Sequence, residues 1–328
     1  MDQLDREILT WLDRNCRMSS VELSQHVKRS RQTVEYRVSR LEDQCIITGY
    51  TSSFNPTRVG YRLYKIYLRL RNVPDAREKL LQLLYELGSV YWVGESSGTW
   101  DLLFGIFYKS EREILDITHR LTSEFHHTIV AHSGHSIIQI LQYPKMYFTG
   151  APQAYRELSG ATLAHELDSL DARIIAELIR NARTSLNEIG ERLAASTVLI
   201  HRRLKKLEQA GILFQHRISV DLKKLGLELY KAIITTGFYS EDVHVRFVEF
   251  ISGRKELQFF VRNIWSIELE LIVESYQAYE SIIDEIRKNF PRLIDSLDTL
   301  LLESDEWTPA FANLKSPRPV AGHLDSSS

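Results

Sequence analysis

The strongest constraint on this chain's fold is that its sequence repeats itself. Residues 4–65 and 170–231 align without a gap, with 19 of 62 positions identical at an offset of 166. "LDREILTWLDRNCRMSSVELSQHV" stands over "LDARIIAELIRNARTSLNEIGERL", and the register holds as far as "GYRLYK" over "GLELYK". The matched pairs include Asp5/Asp171, Asn15/Asn181, Arg17/Arg183, Ser30/Ser196, Arg37/Arg203, Gly60/Gly226 and Lys65/Lys231. An internal period this long predicts two like structural units rather than one irregular domain.

Past residue 65 identity fades, but the order of elements persists. Copy one reads as strand 62–73, helix 74–87, strands 89–93 and 99–108, helix 111–129 and strand 135–142. Copy two reads as strand 227–236, helix 241–252, strands 257–262 and 267–274, helix 276–289 and strand 296–303. Each is βαββαβ, the split-βαβ pattern of ferredoxin-like modules. Ahead of it, Leu4, Ile8, Leu9 and Leu12 fall at helical spacing, and Leu23 marks a second short helix. Ser30 is a fit N-cap for a third, whose apolar positions Val34, Val38 and Leu41 recur at i, i+4, i+7. Three such helices with a tight corner make a helix-turn-helix, and "CIITGYTSSF" then alternates into a β wing. Copy two repeats the scheme through Ser196, Ile200, Leu204, Leu207 and "GILFQHRISV". The expected class is α+β: two tandem winged helix-turn-helix units, each followed by a ferredoxin-like module. The expected domains are 1–60, 61–148, a linker over 149–167, 168–226, 227–307, and a disordered tail over 308–328.

Charge is distributed to suit a polyanion. The net charge is only −2, yet residues 170–225 hold 11 Lys and Arg against 6 Asp and Glu. A helix enters the major groove when its outward side chains reach base edges while basic groups and its N-terminus hold phosphates. In copy one the candidate DNA-binding residues are Lys28, Arg29, Ser30, Arg31, Gln32, Thr33, Tyr36, Arg37 and Arg40. In copy two they are Arg192, Ser196, Thr197, His201, Arg202, Lys205 and Lys206. Glu35 sits among the arginines of copy one, whereas no acid lies between Arg192 and Lys206. Copy two is therefore expected to be the stronger binder.

These features resemble the Lrp/AsnC transcriptional regulators, which place a helix-turn-helix before a βαββαβ effector-binding (RAM) module. The resemblance rests on "LDREIL" and "LDARII", on S-x6-R-V-x2-LE and S-x6-R-L-x2-LE, on Gly60 and Gly226, and on "GTWDLLFGIF", which is similar to the family's Gly-x-x-Asp strand. It implies double-stranded DNA as partner and a small, amino acid-like effector near Gly98, Trp100 and Asp101. It also implies RAM-sheet assembly, here as a pseudo-dimer within one chain, with further homo-oligomers. The corresponding strand of copy two, "NIWSIELELIV", lacks the Gly-x-x-Asp.

With 328 residues, 44% of them hydrophobic, the chain is long enough for two or more packed domains. No apolar run nears the roughly 20 residues that span a bilayer, and "MDQLDREIL" is not a signal peptide, so a cytoplasmic protein is expected. Cys16 and Cys45 suggest reduced thiols. The histidines 126, 127, 132 and 135 fit no standard metal spacing, and neither a metal nor a cofactor is expected. Two rival functions share the architecture: a sirohaem decarboxylase-like enzyme, and an interaction scaffold. The sirohaem decarboxylase family's His-Cys-Tyr type stretch has no counterpart in "SVYWVGESSGTWD" or "LQFFVRNIWS". Glu268 and Glu270 fall on the non-core face of their strand, where Lys65 and Arg69 of the first copy are available to meet them if the sheets face each other.

Overall fold

The computed structural model describes residues 1–73, 75–150, 154–158 and 165–307. The tail read as disordered lies outside them, as does part of the linker. Copy one runs α1 (Gln3–Arg14), α2 (Ser20–His26), α3 (Arg31–Asp43), β1 (Ile47–Phe54), β2 (Arg62–Leu70), α4 (Ala76–Glu86), β3 (Val90–Gly98), β4 (Leu102–Tyr108), α5 (Glu111–Phe125) and β5 (Ile129–Gln142). A two-residue strand, β6 (Arg156–Glu157), lies in the connection. Copy two runs α6 (Ser169–Arg180), α7 (Leu186–Leu193), α8 (Thr197–Gln209), β7 (Leu213–Val220), β8 (Glu228–Thr236), α9 (Glu241–Ser252), β9 (Leu257–Asn263), β10 (Ser266–Val273), α10 (Tyr276–Asn289) and β11 (Ile294–Trp307).

Each three-helix head closes over the stripe its spacing announces. Ile8, Leu9, Leu12, Leu23, Val34, Val38 and Leu41 share one core. Ile174, Ile175, Leu178, Ile189, Ile200, Leu204 and Leu207 share its counterpart. Asp2 and Asp168 cap α1 and α6 by accepting from the N–H of Asp5 and Asp171, satisfying donors that a helix start leaves open.

The strands form two four-stranded antiparallel sheets, β5-β2-β4-β3 and β11-β8-β10-β9, whose edges meet twice. β5 pairs with β2 through Ile129–Ser136, then continues onto β9 through Ile137–Gln142. β11 pairs with β8, and its last residues continue onto β3, with Leu300 opposite Gly98 and Trp307 opposite Trp92. Hydrogen bonding thus runs around a ring of eight strands, leaving neither sheet a bare edge there. α4 and α5 cover the outside of the first sheet and α9 and α10 that of the second. The inner faces meet through Tyr67, Trp92, Leu103, Leu229, Ile272, Leu300 and Leu302.

Three strands run longer than their sequence suggests. β3 extends to Gly98 through "GESSG", a composition poor in strand formers, because β11 supplies a ladder partner from the other copy. β5 begins at Ile129, where a helix was expected, because β2 pairs with "IVAHSGHS". β11 runs on to Trp307, past the expected end at 303, through the same pairing with β3.

Candidate nucleic-acid interface and the interior behind it

The two heads are locked together by contacts that repeat with the two copies exchanged. The wings β1 and β7 pair with each other as an antiparallel ribbon, Thr51 opposite Arg217. The Cys16 N–H donates to the His216 carbonyl at 2.8 Å, and its equivalent, the Ala182 N–H, donates to the Tyr50 carbonyl at 2.9 Å. Arg17 reaches across to the carbonyls of Ala182 and Thr184, while Arg183 donates to the Cys16 carbonyl at 3.0 Å. Asn15 and Asn181 each hold the following arginine by accepting from its backbone N–H. The repeat therefore preserves Asn15/Asn181 and Arg17/Arg183 because they fasten one head to the other. Burial in this joint pushes the Cys16 thiol up to about 12, whereas Cys45 is exposed.

The recognition helices α3 and α8 start alike. Ser30 accepts from the Thr33 N–H at 3.1 Å, and Ser196 from the Leu199 N–H at 3.3 Å. Lys28 and Ala194, the equivalent corner residues before them, both have φ of 52°. On α3, Gln32 and Tyr36 are exposed and Thr33 is half-buried. Its basic groups are already engaged. Arg31 holds Glu35 at 2.7 Å, and that bond keeps the Glu35 carboxyl below its ordinary range. Arg37 binds Asp2 and Asp5 at 2.6 and 3.0 Å, and Arg40 binds Asp5 at 2.7 Å. Arg37 thus joins α3 to the start of α1, as Arg203 does for copy two through Asp168 and Asp171. The exposed Lys28 and Arg29 have no ion pair among the described residues, and they sit at the corner rather than on the helix.

On α8, His201, Arg202, Lys205 and Lys206 are exposed, and no ion pair engages the last three among the described residues. Thr197 donates to Asn187 at 2.8 Å, and Arg192 pairs with Glu177 at 2.8 Å. Sequence reasoning passed over Val198, which occupies the place of Gln32 and is 79% exposed. A valine inside a helix reads as core. Only the i, i+4, i+7 stripe of Ile200, Leu204 and Leu207 shows that it points away.

The expected effector residues Gly98, Trp100 and Asp101 form one turn on the join between the sheets. The Asp101 carboxylate accepts from the Leu70 N–H at 2.6 Å, and the Trp100 carbonyl accepts from the Ser96 hydroxyl at 2.7 Å. Gly98 has φ of 139°, and a Cβ there would lie 2.6 Å from the Thr299 carbonyl oxygen. All three tie the turn to its neighbours: Asp101 to the end of β2, Gly98 to β11, and Trp100 to Tyr67, with ring centroids 5.9 Å apart. His135 meets the Ser133 hydroxyl at 2.8 Å, and His126 lies against His127. Among the described residues, no group of three or more His, Cys, Asp or Glu is arranged to hold a metal ion, and no helix is long and apolar enough to cross a membrane.

Inside the ring the inner sheet faces carry charge. Lys65 binds Glu268 at 2.8 Å, joining copy one to copy two, and Tyr67 donates to the same carboxylate. Lys231 binds Glu268 at 3.1 Å and also binds Glu270. Both ammonium groups sit over Trp92, at 5.1 and 5.2 Å. Burial pushes the Glu268 carboxyl up, but Lys65 and Lys231 outweigh it and hold the group down at about 2. Arg69, the other expected partner, is exposed and stays outside the cluster. Between this interior and the wing ribbon lies a cavity of about 190 Å³. Asp13 of α1 closes its edge by binding Lys145 at 2.8 Å and Arg217 at 3.1 Å.

Residues 1–42 and 167–208 each match the AsnC-type helix-turn-helix domain. The HTH-type transcriptional regulator LrpC of Bacillus subtilis is 31% identical over 122 residues, which make up 37% of this chain and 83% of LrpC. The DNA-binding transcriptional activator DecR of Escherichia coli is 26% identical over 148 residues, 44% of this chain and 97% of DecR. Among solved structures, the siroheme decarboxylase NirDL superposes with a TM-score of 0.60 over 94% of this chain and 93% of its own, at 12% identity. That likeness is one of fold.

Proposed function

The chain belongs to the Lrp/AsnC family of transcriptional regulators, and on that premise we propose that it is a cytoplasmic, sequence-specific reader of double-stranded DNA whose two heads act as a pseudo-dimer. One observation carries the reading. Arg202, Lys205 and Lys206 project from α8, a helix capped by Ser196, without ion pairs among the described residues. Exposed cations along the outward face of a helix suit phosphates, and Gln32, Tyr36, Val198 and His201 are then the side chains offered to base edges. Val198 suits a thymine methyl. Two heads exchanged by an approximate twofold call for two half-sites about 10 bp apart, or a multiple of that. Because the wings are consumed in the ribbon, recognition rests on the helices.

A salt series on selected and random duplexes tests this. A regulator loses affinity steeply with salt and keeps a sequence preference throughout; binding without preference would leave only a charged surface. We extend the proposal to gating by a small effector acting on the join between the sheets, where Gly98, Trp100 and Asp101 build the turn opposite Leu300. We assign homo-oligomer contacts to the exposed tip Ile264 and Trp265, 66% and 73% accessible. A sedimentation coefficient unchanged by Trp265→Ser would count against that contact.

The tetrapyrrole enzyme reading has the shared fold in its favour. Against it, "SVYWVGESSGTWD" and "LQFFVRNIWS" carry no His or Cys where that family has its His-Cys-Tyr type stretch. Adding sirohaem and finding its absorbance unshifted removes that reading.

A further inference from the structure

We propose that the cavity between the wing ribbon and the strand ring seats a small apolar monocarboxylate, one hydrocarbon ring on a short acid, and that its occupancy sets the posture of the heads. The posture half rests on the DNA-binding reading above; the site does not. Three observations converge. The first is size: 190 Å³ exceeds the roughly 150 Å³ of an engineered apolar cavity that accepts benzene, with room for a short polar arm. The second is the body of the wall, where Phe54, Trp92, Phe107 and Phe259 present ring surface. Aromatic walls with a few placed polar groups mark small-molecule sites.

The third is charge. Lys65, Lys145 and Arg217 line the cavity with one acid, Glu270; with the partners just behind the wall, the cluster among the described residues is Lys65, Lys145, Arg217 and Lys231 against Asp13, Glu268 and Glu270, an excess of one cation. Arg217 is only 5% exposed. Its guanidinium is fixed by Asp13 and by the Tyr143 carbonyl, 3.2 Å away. Fixed cations away from water attract a carboxylate more strongly than surface cations do. An amide of the same shape would bring the ring without the charge.

The regulatory consequence follows from what the walls are. One wall is the ribbon, through residues 51–54 and 217–220, and the opposite wall is the ring, through Leu229 and Ile272. Arg217 itself binds Asp13 at the end of α1. A ligand wedged there touches the ribbon that carries both heads.

The test uses the full chain, with calorimetric titration of 3-phenylpropionate and of 3-phenylpropanamide. The acid should bind and the amide should bind at least about tenfold more weakly, a difference near 1.4 kcal/mol. Leu229→Phe, which fills the cavity, should weaken the acid by at least about tenfold; Ile272→Phe serves if the first variant fails to fold. No binding by the acid, equal binding by the amide, or full binding by a folded, filled variant each overturns the site. DNA affinity should shift at least about threefold at saturating 3-phenylpropionate, and an unchanged affinity overturns the coupling. If the chain binds no DNA, the DNA reading fails while the titration still decides the cavity.

Discussion

In copy one the strand opposite Lys65 turns Leu103 and Gly105 into the ring; in copy two the strand opposite Lys231 turns Glu268 and Glu270 there. The lysines are matched residues of the repeat, but both acids come from the second copy. The recognition helices diverge in the opposite sense: α3 spends its three arginines on acids of its own head, whereas α8 leaves three cations outward. Agreement persists where one copy fastens to the other, as at Arg17 and Arg183. Residues that fasten one copy to the other stayed alike, whereas the strands opposite the two interior lysines and the outward faces of α3 and α8 diverged.

The largest expected effect breaks the interior asymmetry. Lys65→Met leaves Glu268 with one cation and should cost about 3–5 kcal/mol in urea unfolding. The reversal Lys65→Glu with Glu268→Lys should recover part of that loss. No recovery in the double variant would mean that the pair is not a unit.

Acid comes next. Burial pushes the Asp13 carboxyl up, but Arg217 and Lys145 hold it down at about 2. Glu268 is depressed in the same way. Each folded pKa lies below its unfolded value, so the stabilisation is present above about pH 4.5 and lost as pH falls through 4 toward 2. Each group contributes at most roughly 2–3 kcal/mol. Urea midpoints should fall steeply below pH 4, and the slope should flatten in Glu268→Gln. A midpoint indifferent to pH over that interval would refute the depressed carboxyls.

The surface asymmetry predicts smaller numbers. Arg202→Ala with Lys205→Ala should weaken DNA binding roughly 10–100-fold and lower the salt slope by about 2. Arg31→Ala should stay within about threefold, because Glu35 already holds that guanidinium. Arg37→Ala should lower the melting temperature more than it changes the salt slope. Equal losses from the α3 and α8 variants would abolish the ranking of the heads. The last effect is local, a matter of a single backbone angle. Ala194, at φ of 52°, should be relieved by Ala194→Gly, which stabilises by about 1 kcal/mol. Gly211→Ala, at φ of 65°, should cost about the same.

The repeat made both heads and both βαββαβ orders legible, because apolar spacing and Ser30 and Ser196 are local signals. Lys65 could be matched with Glu268 because alternation places each on the face its own helices leave uncovered. The extensions of β3 and β5 were not legible, since "GESSG" and "IVAHSGHS" become strands through partners distant in sequence. Nor was the engagement of Arg37 and Arg40, since Asp5 lies in another helix and its proximity exists only after packing. Val198 shows the converse limit. Its residue type says interior, and its angular position on the helix says otherwise.

The placement of both interior acids in one copy has a consequence for pairing. A partner made from two first copies would bring two lysines and neither acid to the ring. One made from two second copies would bring two lysines and four acids. Neither half supplies the charge balance that the other brings to the ring. The join between the copies therefore calls for one of each, and on the proposed DNA-binding reading it leaves α3 and α8 as two unlike helices facing two unlike half-sites.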